Sequence, residues 1–173
     1  MTMKILPATG LLCLCTLFST LFSAHSWSEL PAPKGNVVLE VYGNIKAFNE
    51  DDVAAFDRAM IDQLPVHTIQ TDNHVTEGLQ TYKGPRLSDL LDQLGATGSI
   101  VRVYALDDYV AELSLKEVVK YKVILATEEN GKALTIKDKG PFFVVFPFHE
   151  HPELRDDSHY SQSVWQVRAI EVE

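Results

Sequence analysis

The sequence predicts an α+β fold in which strands outnumber short helices. Three observations carry that prediction. Short alternating or wholly apolar runs recur through the chain, bounded by Gly, Pro, Asn and Asp. Helical periodicity is confined to a few segments of two or three turns. Strands and helices do not alternate regularly enough for a doubly wound parallel sheet.

The first strand of this reading is Val37 to Gly43, with Val37, Leu39 and Val41 on one face and Val38, Glu40 and Tyr42 on the other. Ser28 to Gly35, with Pro31 and Pro33, reads as an extended lead-in. A helix is expected next. Asn49 is placed to cap it, Glu50, Asp51 and Asp52 suit its positive end, and Val53, Phe56, Met60 and Leu64 form one apolar stripe before Pro65. His67 to Thr71 is a candidate strand and Asp72 to Thr81 a polar loop. Leu87, Leu90, Leu91 and Leu94 then repeat at helical spacing, with Gly95 as the stop.

Ile100 to Leu106 and Tyr109 to Leu113 read as two strands joined by an Asp107-Asp108 turn. Ser114 and Glu117 have capping-box spacing before a short helix through Val119. Val123 to Pro147 is the most structured stretch to the eye: an apolar run, an Asn130-Gly131 turn pair, a Lys139-Gly140-Pro141 break, then the wholly apolar Phe142 to Phe146. Phe148 to Gln162 is expected to be a long polar loop. Val164 to Val172, carrying Trp165, closes the chain as a strand.

Composition narrows the function. The 173 residues suffice for one domain with a full core. A net charge of −9 repels phosphate backbones, so nucleic-acid binding is excluded as a general role. Residues 1–26 read as a signal peptide, with one early charge at Lys4, an apolar stretch, and Ala24-His25-Ser26 as the cleavage context; an uncleaved membrane anchor is the alternative. Residues 27–173 would then be a single periplasmic or secreted domain. Both cysteines, Cys13 and Cys15, fall inside the leader. A chain beginning near Trp27 has no thiolate for a disulfide, a nucleophile or a metal.

Few constellations carry chemistry. His149, His151 and His159 are the one metal-like group, set against the alternative of a solvated loop. His67 suits a structural role on an apolar strand, while His74 is a pocket candidate beside Asp72 and Asn73. Asp107 and Asp108 are either an acid/base pair or a plain turn. There is no nucleophile elbow and no glycine-rich phosphate loop.

Several pieces, in order, resemble the oxidoreductase molybdopterin-binding domain, the catalytic fold of the sulfite oxidase family. They are Gly84-Pro85-Arg86-Leu87-Ser88-Asp89-Leu90-Leu91, Asp107-Asp108-Tyr109, Leu125-Ala126 with Asn130-Gly131, Gly140-Pro141 through Val144-Val145-Phe146-Pro147, and Val164-Trp165. The resemblance spans roughly Val37 to Val172. It implies a mixed, strand-rich fold and molybdopterin as cofactor. It also implies a metal-ligating cysteine at or near position 71, where this chain has Thr71, a hard ligand unsuited to replace a soft thiolate. Pocket residues implied by the resemblance are Thr71, Asp72, His74, Arg86, Asp108 and Lys139, with Arg86, Arg102, Lys137 and Lys139 as cations for a pterin phosphate. Three functional expectations follow. One is an exported ligand-binding, sensor or accessory protein, its partner a small ligand or a membrane-bound protein. The second is a molybdopterin-dependent oxidoreductase with atypical metal ligation. The third is an unrelated metal-binding or structural domain.

Overall fold

A computed structural model describes residues 30–73 and 76–173. The strands are β1 (Val37–Gly43), β2 (Val53–Asp57), β3 (Val66–Thr71), β4 (Gln80–Pro85), β5 (Ile100–Ala105), β6 (Val110–Ser114), β7 (Ile124–Ala126), β8 (Glu128–Glu129), β9 (Lys132–Ala133), β10 (Phe143–Val145) and β11 (Val167–Val172). The helices are α1 (Arg58–Ile61), α2 (Leu87–Gln93), α3 (Leu115–Lys120) and α4 (Asp157–Gln162), with a 3-10 turn over Pro152–Leu154. This is the strand-rich α+β architecture that the sequence predicts. Among the described residues, no helix is long and apolar enough to cross a membrane.

Among the described residues three sheets are formed. The largest has the order β2-β1-β11-β5-β6, with β1 and β11 parallel and the other pairs antiparallel. A second joins β3, β4, β8 and β9, and a third pairs β7 with β10.

The β7–β10 pair explains the polar-free runs of the sequence. Leu125 and Val144 point into the main core with Leu90, Val103, Phe146 and Ile170. Their neighbours Ile124, Ala126, Phe143 and Val145 join Ile69, Tyr82 and Leu134 in a second core. Successive strand residues face opposite ways, so a strand sandwiched between two cores must be apolar at every position. Gly84 on β4 is equally dictated by packing: a Cβ there would lie 2.1 Å from the Leu125 carbonyl oxygen.

The Asn130-Gly131 pair turns β8 into β9 with both residues at positive φ, 52° and 76°, as a tight hairpin requires. Gly95, at φ 60°, ends α2 as expected.

Two expectations are corrected. The segment after Asn49 is not a helix: it turns and enters β2, and the helix is reduced to the four residues of α1. Val53 to Asp57 pairs along β1, and Ala54, Ala55 and Phe56 are all buried. Burial on both faces suits a strand as well as a helical stripe, and the ladder to β1 decides between them. Asn49 does not cap a helix. Its side-chain amide brackets Ala55 at 2.9 and 2.8 Å and reaches the Pro31 carbonyl at 2.7 Å. Asp57 is the cap, accepting from the Met60 N–H at 2.9 Å. The second correction is the expected loop from Phe148 to Gln162, which contains the 3-10 turn and α4.

Candidate functional site

Thr71 is the last residue of β3 and is fully buried. Its hydroxyl donates to the Asp72 carbonyl at 3.0 Å and accepts the His149 N–H at 3.3 Å. The side chain therefore fastens the end of β3 to the loop after β10. Asp72 accepts from Arg155 Nη2 at 2.6 Å, and that guanidinium holds its carboxyl below the usual carboxylate range.

Two residues beyond Thr71, Asn73 lines a cleft of about 210 Å³. Its other walls come from the β5–β6 turn (Asp107, Tyr109), from Phe143 of β10, and from α4 and the segment after it (Tyr160, Ser161, Ser163, Trp165). Tyr109 Oη donates to the Ser161 carbonyl at 2.9 Å and ties two of these walls together. Trp165 leaves 43% of its surface exposed at the rim. Among the described residues the lining is aromatic and neutral-polar, and its one formal charge is Asp107. Stacking surfaces with a few convergent amide and hydroxyl groups suit a flat, weakly charged organic ligand.

The remaining candidates fall in different places. Asp108 sits at φ 64° in the β5–β6 turn and pairs with Arg168 at 3.3 Å. Asp107 accepts from the Tyr109 N–H at 3.1 Å. The two aspartates shape a turn and do not face one another as an acid/base pair. Lys139 is chelated by both Glu129 oxygens, at 3.0 and 2.9 Å. Arg102 bridges Glu112, Glu171 and Glu173. Arg86 lines a separate cleft with His67 and His151. His74 lies outside the described residues.

The three histidines expected to hold a metal are not brought together. Among the described residues, no three His, Cys, Asp or Glu side chains are grouped to hold one. His151 pairs with Glu153 at 3.2 Å and packs edge-on against Tyr121. His159 is held on α4 by Asp156 at 2.8 Å, with its ring against Phe146. His149 contributes its backbone to Thr71. The helix places His159 under a different neighbour from the i, i+2 pair, which the expected extended loop would not have done. What the sequence reading missed is the aromatic lining of the Asn73 cleft: Tyr109, Tyr160 and Trp165 come from three distant segments, and no local pattern joins them.

No curated protein matches the chain. A solved structure does: the sulfane dehydrogenase SoxCD from Paracoccus pantotrophus, at 19% identity and a TM-score of 0.58, over 78% of this chain and 37% of that one. The chain thus spans just over a third of that protein's length, and at this identity the likeness shows a shared fold of the sulfite oxidase type. The sequence model of the family described as the oxidoreductase molybdopterin binding domain matches residues 31–150, which rules out an unrelated domain. By that match, most of the described chain included, the protein belongs to the oxidoreductase molybdopterin binding domain family.

Proposed function

We propose that this family member is an exported binding protein whose Asn73 cleft takes a small, flat organic ligand, and that it does not carry out molybdenum redox chemistry. The observation that carries the reading is Thr71. Where the family resemblance expects a thiolate, the buried hydroxyl is already committed to Asp72 and His149. Molybdenum calls for soft sulfur donors, and outside the leader the chain has no cysteine.

The cations tell the same way. A pterin phosphate in the Asn73 cleft needs basic partners on its walls, yet no Lys or Arg is among their described residues, and Lys139 is held by Glu129, Arg155 by Asp72 and Arg168 by Asp108. The charge on the cleft wall itself is that of Asp107, which repels an anion. The donor set therefore does not fit the molybdenum cofactor.

Export belongs to the same proposal and rests on the leader-like residues 1–26. The partner would be a small ligand, or a membrane-bound protein that reads the ligand-bound state. Family membership supports the rival reading, an oxidoreductase with atypical ligation. Metal and pterin analysis of the protein purified from the exported fraction separates the two. The binding reading expects substoichiometric molybdenum and no pterin fluorescence after denaturation. One molybdenum and one pterin per chain would overturn it.

A further inference from the structure

A second cleft lies between β3, the start of α2, the end of α3 and the loop after β10. It shares no lining residue with the Asn73 cleft. Its walls carry Arg86, Lys120 and Lys122, the two histidines His67 and His151, and one acid, Glu150. In a chain of net charge −9 this is a local excess of cations, three against one acid among the described lining residues.

The cations here are also less engaged than those elsewhere. Arg86 has a buried Nε with no hydrogen-bond partner among the described residues. A buried guanidinium N–H left unmade is costly, and native structures rarely tolerate one without a reason. Lys122 has no ion pair among the described residues and is held at φ 53° at the exit of α3. Lys120 has no ion pair within contact distance: it donates to the Tyr121 hydroxyl at 2.7 Å, with Glu153 and Glu117 acting on it only at longer range. Two acids stand beside the lining, each against a histidine. Asp89 pairs with His67 at 3.1 Å and Glu153 with His151 at 3.2 Å, which orients both rings.

We infer that this cleft binds a small dianionic oxyanion of the phosphate or sulfate type, with Arg86 as the anchor. The donors approach from at least three chain segments. A tetrahedral anion offers oxygens in several directions at once, whereas a planar carboxylate offers two in one plane. Three cations against one acid on the described walls favour an anion there. The site is independent of whatever occupies the Asn73 cleft.

The test is a side-chain nitrogen NMR titration of the leader-free chain with sodium sulfate, inorganic phosphate and glycerol 3-phosphate, with acetate as the planar comparison. The ionic strength is held constant with chloride. The expected result is a saturable shift of the Arg86 Nε–Hε resonance with at least one tetrahedral anion, at affinity at least about tenfold tighter than for acetate. Arg86→Gln should weaken binding by about tenfold or more, as loss of a charged hydrogen bond does. Lys122→Gln, at an exposed side chain whose loss threatens no packing, should weaken it by a smaller factor. Saturation by inorganic ions alone would identify a free anion as the ligand; tighter binding of glycerol 3-phosphate would identify a phosphorylated organic molecule. Linear, unsaturated shifts for every anion, or equal affinity in folded Arg86→Gln and Lys122→Gln, would overturn the inference.

Discussion

The His149 N–H donates to the Thr71 hydroxyl at 3.3 Å, linking residues 78 apart in sequence. The contact closes the end of β3 against the loop that follows β10. It puts a neutral hydrogen-bonding side chain where the family resemblance expects a metal ligand. Thr71→Val keeps the shape and removes the acceptor, leaving a backbone N–H without its partner. Stability should fall by about 1–2 kcal/mol in urea unfolding, with an unchanged m value. A loss below a few tenths would mean the hydroxyl does not fasten the loop.

Asp57 provides a pH-dependent prediction. Its carboxylate accepts from the backbone of Lys34, Gly35 and Met60, at 2.8, 2.8 and 2.9 Å. Those N–H groups, Gly35 foremost, hold its pKa below the usual carboxylate value of 3.8. A group depressed in the folded state stabilises the fold above its unfolded pKa and loses that contribution as pH falls through the folded one. Asp57→Asn should therefore lower the melting temperature at neutral pH by a few degrees, roughly 3–6 °C. The difference from the parent should shrink below pH 4. A constant difference from pH 7 to pH 2.5 would contradict the linkage.

Gly84 tests the packing of β4 on β7. A Cβ there meets backbone rather than a movable side chain, with Leu125 O at 2.1 Å and Ala126 Cα at 2.8 Å. Gly84→Ala should cost about 3 kcal/mol or more, beyond the usual range for overpacking, because neither strand can retreat without opening a core. A circular-dichroism melt within 2 °C of the parent would show that β7 yields.

Lys139 and Glu129 form a pair whose side chains are only 16% and 19% exposed. Glu129 also accepts from the Tyr82 hydroxyl at 2.8 Å, and burial keeps that phenol protonated well above its ordinary range. Lys139→Gln leaves the carboxylate half-satisfied in a sheltered place. Chemical denaturation should show a loss of about 1–2 kcal/mol, and Tyr82→Phe should not add fully to it, since both act on one carboxylate. Strict additivity would mean the three groups are not one network.

Local chemistry was enough to read α2, the β5–β6 and β8–β9 turns, and the apolar β7 and β10. Each depends on residues adjacent in the chain: a leucine repeat, an Asn-Gly pair, a short run without polar atoms. The absence of cysteine beyond position 15 was equally plain, with Thr71 standing where the family resemblance expects a metal ligand. Tertiary contact decided the rest. Val53 to Leu64 has a helical stripe, yet its first half pairs with β1, because a ladder of long-range hydrogen bonds outweighs a weak local preference. His149, His151 and His159 lie close in the chain, yet α4 and the 3-10 turn send them to different neighbours. Arg86 and Lys122 share a cleft because β4 and the exit of α3 meet across 36 residues. Spacing in sequence predicts such meetings only within one element; between elements the folded packing alone sets them.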